Sequence, residues 1–415
     1  MNRPQRSAWV AWFLTAVFYF YQYMLRSSPA VMMPQLSKAF GLSVVGTASL
    51  VGLFYYGYST FSLVAGAALD RLGARAVIPL GALAVACGSL LFGTGSLATA
   101  YPGRLLQGVG GAFAFVGTVY IVSRNFPASR AATLIGAGQM FGMAGGSAGQ
   151  FLVGPPIAAG MPWNAFWIAM GVAGCLIALV LFLLLPKERT ANQRPGSSRS
   201  AFKSMGIVFR NPQSILCGAI AGLLFLPTTI FDMMWGVRFL QEAHGFDYGA
   251  AVVRSATVPF GWIMGCPVLG WLSDRLGRRR PVILGGACAT AACLVWILYG
   301  PRGVLPPYLL GLLTGFSSGA AMIPYTVIKE ANPSNMSGTA TGVVNFLNLT
   351  LTALMGPVFG WLLQNASAGA RPELEHYQST FRPLLFGVGL AVLLTLVLKE
   401  TGAAVRVSVA SSEAA

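Results

Sequence analysis

Charge is what this 415-residue chain has least of. Only 9% of its residues are charged, 11 acidic and 27 basic, where a soluble domain carries roughly 25%. A water-exposed surface cannot be built from so few charges. Histidine is scarcer still: His244 and His376 both fall in expected outer loops, and no metal or nucleophile constellation surrounds them. The six cysteines (Cys87, Cys175, Cys217, Cys266, Cys288, Cys293) lie in apolar runs without Cys-x-x-Cys spacing, so they read as small packing residues. No Gly-x-x-x-x-Gly-Lys-Ser/Thr stands anywhere, which argues against an internal ATP motor. An enzyme is not expected, and no cofactor or metal is implied.

Apolar sequence fills the chain instead: 55% hydrophobic residues and a mean hydropathy of +0.67. Twelve runs stand out, at about 8–33, 44–69, 76–98, 102–124, 131–156, 163–186, 213–240, 250–272, 281–299, 305–328, 338–363 and 381–398. Each is long enough to cross roughly 30 Å of hydrocarbon as a helix, and the short alternating strands of a barrel are missing. The first run follows Arg3 and Arg6 as a signal peptide would. It exceeds the usual core of about 7–15 residues and lacks a small-x-small cleavage site, so it reads as a membrane helix.

The net charge of +16 could suggest nucleic acid, but its placement argues otherwise. With the N-terminus inside, nineteen of the 27 basic residues fall in cytoplasmic segments. Arg26, Lys38, Arg104, Arg238, Arg254, Arg302, Arg371 and Arg382 are the remainder. This is a positive-inside bias, and it sets both termini in the cytoplasm. The basic excess then serves topology and attraction to anionic lipid, with no nucleic-acid partner. A break in hydrophobicity from Pro186 to Pro212 carries six cations and the Pro195–Ser198 Pro-Gly-Ser-Ser stretch. It reads as a flexible basic linker. The expected division is 1–190, a linker at 191–212, and 213–415.

One short polar turn occurs twice. Gly66-Ala-Ala-Leu-Asp70-Arg71-Leu-Gly73-Ala-Arg75 returns as Gly270-Trp-Leu-Ser-Asp274-Arg275-Leu-Gly277-Arg278-Arg279, 204 residues later. A second match relates Pro127, Thr133 and Gly136 to Pro333, Thr339 and Gly342 at an offset of 206. Glycine permits a tight, left-handed turn, the arginines can meet lipid phosphate, and the aspartate can pair or cap a helix N-terminus. The duplicated Gly-x-x-x-Asp-Arg-x-Gly-x-Arg pattern resembles the loops between the second and third and the eighth and ninth helices of the major facilitator superfamily. The resemblance covers essentially the whole chain. It implies an all-α integral membrane fold of twelve transmembrane helices in two pseudo-symmetric six-helix halves, with substrate bound near the midplane between rocking halves. It also implies a gating role for Asp70, Arg71, Gly73, Arg75, Asp274, Arg275, Gly277 and Arg279. Asp70 would then meet the chain near Gly338, and Asp274 the chain near Ala131; a mere topological anchor is the alternative.

A charge at mid-helix costs roughly 2.5–3.5 kcal/mol on insertion scales, so intramembrane charges are functional candidates. In the first run Tyr19, Gln22, Tyr23 and Arg26 share one helix face, suited to holding a carboxylate. Arg26 maps onto Asp232 at the 206 offset, with Thr228, Thr229 and Trp235 within about a turn of the aspartate. Two readings stand: a buried Arg26–Asp232 salt bridge, or a split site in which Asp232 takes an ammonium or a coupling proton. Arg104 opens Arg-Leu-Leu-Gln-Gly-Val-Gly-Gly, which resembles a fourth-helix pattern of proton-coupled superfamily members; proton coupling and interfacial snorkelling compete there. Gln139, Tyr325, Asn345 and Asn348 are further polar candidates, with Gln139 and Asn345 related at the 206 offset. Gly136, Gly145 and Gly149 fit the spacing of a drug-antiporter pattern, but Gln150 stands where its proline belongs. The first helix also resembles bacterial carriers that include intraphagosomal amino-acid transporters, over about eleven residues ending in Leu-Arg26-Ser-Ser-Pro29.

The reading is therefore a secondary transporter in a bacterial inner membrane. It moves a small polar or carboxylate-bearing solute, an amino acid or organic acid, by alternating access and proton symport. The expected partners are substrate, proton and lipid, and the protein is expected to be a monomer. The alternatives are an exporter of organic anions or drugs and, in another class, a non-transporting membrane receptor or sensor.

Overall fold

The computed structural model describes residues 3–42, 44–186, 198–301, 307–367 and 372–402, and among these all regular structure is helical. Lys187, Arg189, Arg194, Pro195, Arg302, Arg371 and Arg406 lie outside the described residues. Among the described residues, eleven helices are long and apolar enough to cross a membrane. The run at 131–156, expected as a twelfth, is the helix α6 Ala131–Phe151 followed by the short α7 Gly154–Ala158. Gly136, Gly138, Gly142, Gly145, Gly146 and Gly149 dilute its apolar character. Cβ atoms built on Gly142, Gly145 and Gly149 would strike Tyr19, Phe20 and Met24 of α1 Arg3–Ser27. A helix packed this closely on protein needs small residues more than it needs hydropathy.

The chain forms two compact units. The first comprises Met1–Pro127, Phe141–Ser214 and Asn332–Leu349. Here α1 ends at Ser27 in a 3₁₀ turn containing Pro29, and α2 Met33–Phe40 follows. The helices α3 Val44–Leu72, α4 Ala74–Gly93, α5 Leu97–Asn125 and α8 Trp163–Leu184 pack as α3 on α5, α5 on α4 and α4 on α8. Phe54, Phe92, Phe115 and Trp167 fill the interior. Leu176, Leu179, Phe182, Leu183 and Leu184 of α8 stay exposed, an apolar face suited to lipid and a liability in water.

The second unit comprises Ala128–Met140, Ile215–Ala331 and Thr350–Ala415. Helix α10 Pro212–Leu226 runs into a π-helical segment, Pro227–Gly236, and then α11 Val237–Glu242. Pro227 has no N–H to give the preceding turn, and widened turns of this kind often mark functional positions. Helices α12 Tyr248–Ser255, α13 Thr257–Leu276, α14 Arg280–Tyr299, α15 Pro307–Ser318, α16 Pro324–Glu330 and α18 Leu374–Val397 complete the unit. The helix α17 Ser337–Ala366 begins within the first unit and continues in the second.

The stretch expected as a flexible linker is helical from Ser198: α9 spans Ser198–Arg210. Val208 is buried, the Phe209 ring meets Phe346 at 6.3 Å, and Asn211 donates to Asn332 at 3.1 Å. Apolar residues on one side of α9 find partners that composition alone does not reveal. A Cβ on Gly145 would lie 2.1 Å from the Phe20 carbonyl oxygen, whereas one on Gly206 of α9 meets nothing within 4 Å. Gly145→Val is therefore expected to destabilise by at least about 1–3 kcal/mol through overpacking. Gly206→Ala is expected to cost nothing; thermal unfolding of the purified protein checks both.

Candidate functional site

The duplicated turns are built alike. Gly73 (φ 77°) and Gly277 (φ 60°) take the positive φ that glycine allows without strain. Asp70, near the end of α3, accepts the Gly338 N–H at Oδ1 (2.9 Å) and the Thr339 N–H and hydroxyl at Oδ2 (both 2.7 Å). Asp274, near the end of α13, accepts the Thr133 N–H (2.9 Å) and hydroxyl (2.8 Å). Each carboxylate thus satisfies free N–H groups at the start of another helix, where the dipole favours negative charge. The first glycine of each motif sets the approach. A Cβ on Gly66 would lie 2.3 Å from the Gly338 carbonyl oxygen, and one on Gly270 2.5 Å from that of Ala132.

The copies differ in their last arginine. Arg279 is buried and bridges Asp274 (2.6 Å) and Glu330 (2.9 Å), while its N–H donates to Glu400 at 2.6 Å. Burial alone would lower its pKa, but Glu330 and Asp274 outweigh that and raise it, so the guanidinium stays charged. Arg75 is half-buried and forms no salt bridge among the described residues. Arg71 is half-buried, and Arg275 is exposed with its guanidinium 5.1 Å from the Trp271 ring.

Within the first unit, α1 brings together the residues that the sequence put on one face. The Arg26 guanidinium lies 4.6 Å from the Tyr23 ring and 4.7 Å from the Tyr55 ring, and its Nε donates to the Tyr55 hydroxyl at 3.3 Å. Arg26 is 8% exposed, and its Nη2 is buried with no hydrogen-bond partner among the described residues. Tyr19 stacks edge-on with Tyr23 at 5.0 Å. Gln22 is fully buried, and neither its amide nitrogen nor its amide oxygen has a hydrogen-bond partner there. Asn345 donates to the Ser62 hydroxyl at 3.0 Å, an interhelical bond rather than a free ligand group; Asn348 is buried.

Snorkelling does not describe Arg104. It is 1% exposed and donates to Gln107 (2.6 Å), the Val51 carbonyl (3.2 Å) and the Leu25 carbonyl (3.4 Å). Its head ties α5 to α1 and α3 through those carbonyls. The segments of this unit contain two acidic residues, Asp70 and Glu188. Asp70 is committed to Gly338 and Thr339, and Glu188 lies outside the described residues. No described carboxylate of the unit pairs with Arg26 or Arg104.

In the second unit Asp232 sits in the π-helical segment, 7% exposed, and accepts the Ser255 hydroxyl at 2.9 Å. Thr228 accepts from the Trp262 indole at 2.7 Å, and Thr229 donates to the Phe225 carbonyl at 3.1 Å. The Trp235 Nε1 is buried and without a partner among the described residues, with Arg238 5.4 Å from its ring. Gln139 and Tyr325 are buried in this unit. Arg26 and Asp232 each make their hydrogen bond within their own unit.

Sequence reasoning missed Tyr55, Ser255, Glu330 and Glu400. The last two have no counterpart in the first motif, and a single hydroxyl partner has no local signature. Thr133 and Thr339 were visible as a repeat but not as the partners of the aspartates. The difference between the arginines predicts unequal effects. Arg279→Ala leaves buried acids unpaired and is expected to destabilise by about 3–5 kcal/mol, whereas Arg75→Ala is expected to stay within about 0.5 kcal/mol; chemical unfolding of the two variants compares them.

Curated relatives and solved structures are similar to this chain, among them these three relatives and two structures. Multidrug resistance protein 2 of Bacillus subtilis (strain 168) is 27% identical, covering 89% of this chain and 90% of its own. The probable 4-methylmuconolactone transporter of Cupriavidus pinatubonensis is 25% identical over 75% of this chain and 73% of its own. The membrane sensor protein UhpC of Salmonella typhimurium is 24% identical over 93% and 89%. The fold matches the E. coli fucose:proton symporter FucP with a TM-score of 0.71 at 16% identity, covering 95% of this chain and 99% of that one. It matches the proton:xylose symporter XylE with a TM-score of 0.72 at 14% identity, covering 96% of each. The Major Facilitator Superfamily model matches residues 15–357. This multi-pass, membrane-embedded chain belongs to the Major Facilitator Superfamily of transporters, not to an enzyme family.

Proposed function

We propose that this protein carries small organic anions across a bacterial inner membrane by alternating access, with both termini cytoplasmic. The observation that carries the reading is Arg26: a buried guanidinium between two tyrosine rings, with Nη2 unpartnered and no described carboxylate of its unit beside it. Cation–π contact offsets about 2 kcal/mol of desolvation at best. A substrate carboxylate supplies the rest through charge-assisted bonds. Similar carriers support an organic-acid cargo, among them the probable 4-methylmuconolactone transporter and the probable L-galactonate transporter of Escherichia coli.

Coupling to protons is assigned to Asp232, whose Ser255 bond gives the carboxylate a partner that can accept as well as donate. Arg104 bonds the Leu25 carbonyl and so holds α1 in place beside Arg26. Asp70 and Asp274 act as latches on the helices they cap, and release of those caps accompanies the change of access. A second reading follows from the likeness to the sensor protein: a chain that binds an anion and does not move it.

Proteoliposomes loaded at neutral pH and offered labelled organic acids under an inward proton gradient separate these readings. Wild-type protein is expected to accumulate the acid. Arg26→Gln is expected to lose transport by about 30-fold or more, and Asp232→Asn to keep exchange while losing gradient-driven accumulation. Full transport by Arg26→Gln contradicts the anion assignment. Saturable binding without accumulation in wild type favours the sensor reading.

A further inference from the structure

Gln22 is the buried group that the anion reading leaves unused. It lies on α1 one turn before Arg26, fully buried, with neither amide atom hydrogen-bonded among the described residues. Its position is fixed from behind: a Cβ at Gly111 would lie 3.0 Å from its Cγ and 3.1 Å from its Nε2. An amide buried in this way wants a group that donates to its oxygen and accepts from its nitrogen. A hydroxyl does both. A methylene does neither, and leaves two desolvated polar atoms unpaired.

An ammonium only donates, and here it would add positive charge where two guanidiniums already stand. Arg26 is four residues away, and Arg104 bonds the carbonyl of Leu25, the residue next to Arg26. The unit's described acid, Asp70, is already committed to Gly338 and Thr339. Residues four apart on a helix hold their Cβ atoms about 6 Å apart, so the hydroxyl belongs a few bonds from the carboxylate. We propose that Gln22 reads a hydroxyl on the bound carboxylate, making the preferred substrate a hydroxy acid rather than an amino acid or an unsubstituted acid. This rests on Arg26 holding the carboxylate.

The test is thermal stabilisation of the purified full-length protein by two matched sets of ligands, titrated to give Kd. One set is butanoate, 2-hydroxybutanoate and 2-aminobutanoate; the other is 3-phenylpropanoate, 3-phenyllactate and phenylalanine. In at least one set the hydroxy acid is expected to bind about tenfold to a hundredfold tighter than the unsubstituted acid, and tighter than the amino acid. Gln22→Leu is expected to erase that preference. Gly111→Ala, which presses on the amide without removing it, is expected to shrink the preference. Equal binding of hydroxy and unsubstituted acids in both sets overturns the inference and leaves the anion reading standing. So does a preference for the amino acid, or a hydroxyl preference that survives in Gln22→Leu. Stabilisation by none of the six overturns the anion reading, and the inference falls with it. The ranking in wild type decides the matter if a variant fails to fold.

Discussion

A buried guanidinium that pairs with no described carboxylate of its own unit is the constraint on which the account depends. Arg26 is placed by α1, flanked by the faces of Tyr23 and Tyr55, and given one hydrogen bond. An unpaired charge at such depth is tolerated where it faces protein or cavity and has work to do. Its surroundings are arranged to keep it in place. Glycines of α6 let that helix close on α1 at Tyr19, Phe20 and Met24, and Arg104 grips the Leu25 carbonyl from α5. The packing of the first unit and the chemistry of its cation are therefore one problem: close helix contact fixes the charge for which we propose an incoming anion as partner.

The duplicated turns solve a different problem, how to hold a helix start, and we propose that they do so reversibly. A carboxylate on backbone N–H groups gives a latch with short, directional bonds and no covalent commitment. The two latches are not equivalent. Asp70 relies on the two N–H groups and the hydroxyl at Gly338 and Thr339, whereas Asp274 also shares Arg279 with Glu330 and is backed by Glu400. The repeat in sequence preserves the aspartate and the glycine geometry, and Glu330 and Glu400 give the second turn contacts for which the first has no counterpart among the described residues.

Much of this was legible in the residues. Apolar runs and the scarcity of charge gave the membrane-spanning helices, and the two offsets, 204 and 206, gave the pseudo-symmetry that relates Asp70 to Asp274 and Thr339 to Thr133. Periodicity put Tyr19, Gln22, Tyr23 and Arg26 on one face. Three features were not legible, each for a physical reason. The helix α9 and Asn211 just after it contact Phe346 and Asn332, far away in sequence. The depth of Arg104 depends on carbonyls of α1 and α3, and backbone acceptors carry no side-chain signature. The π-helical segment around Asp232 follows from how Pro227 is accommodated, which a hydropathy profile does not record.

The most direct measurement of the central claim is the melting temperature of Gln22→Glu, with and without organic acid. A glutamate four residues before an arginine is the favourable order for a helical ion pair, and it would give Arg26 an anion of its own. The account predicts that this variant melts higher than wild type without ligand and is no longer stabilised by organic acids. A variant that melts lower and still responds to organic acids as wild type does would show that Arg26 was never waiting for a negative charge.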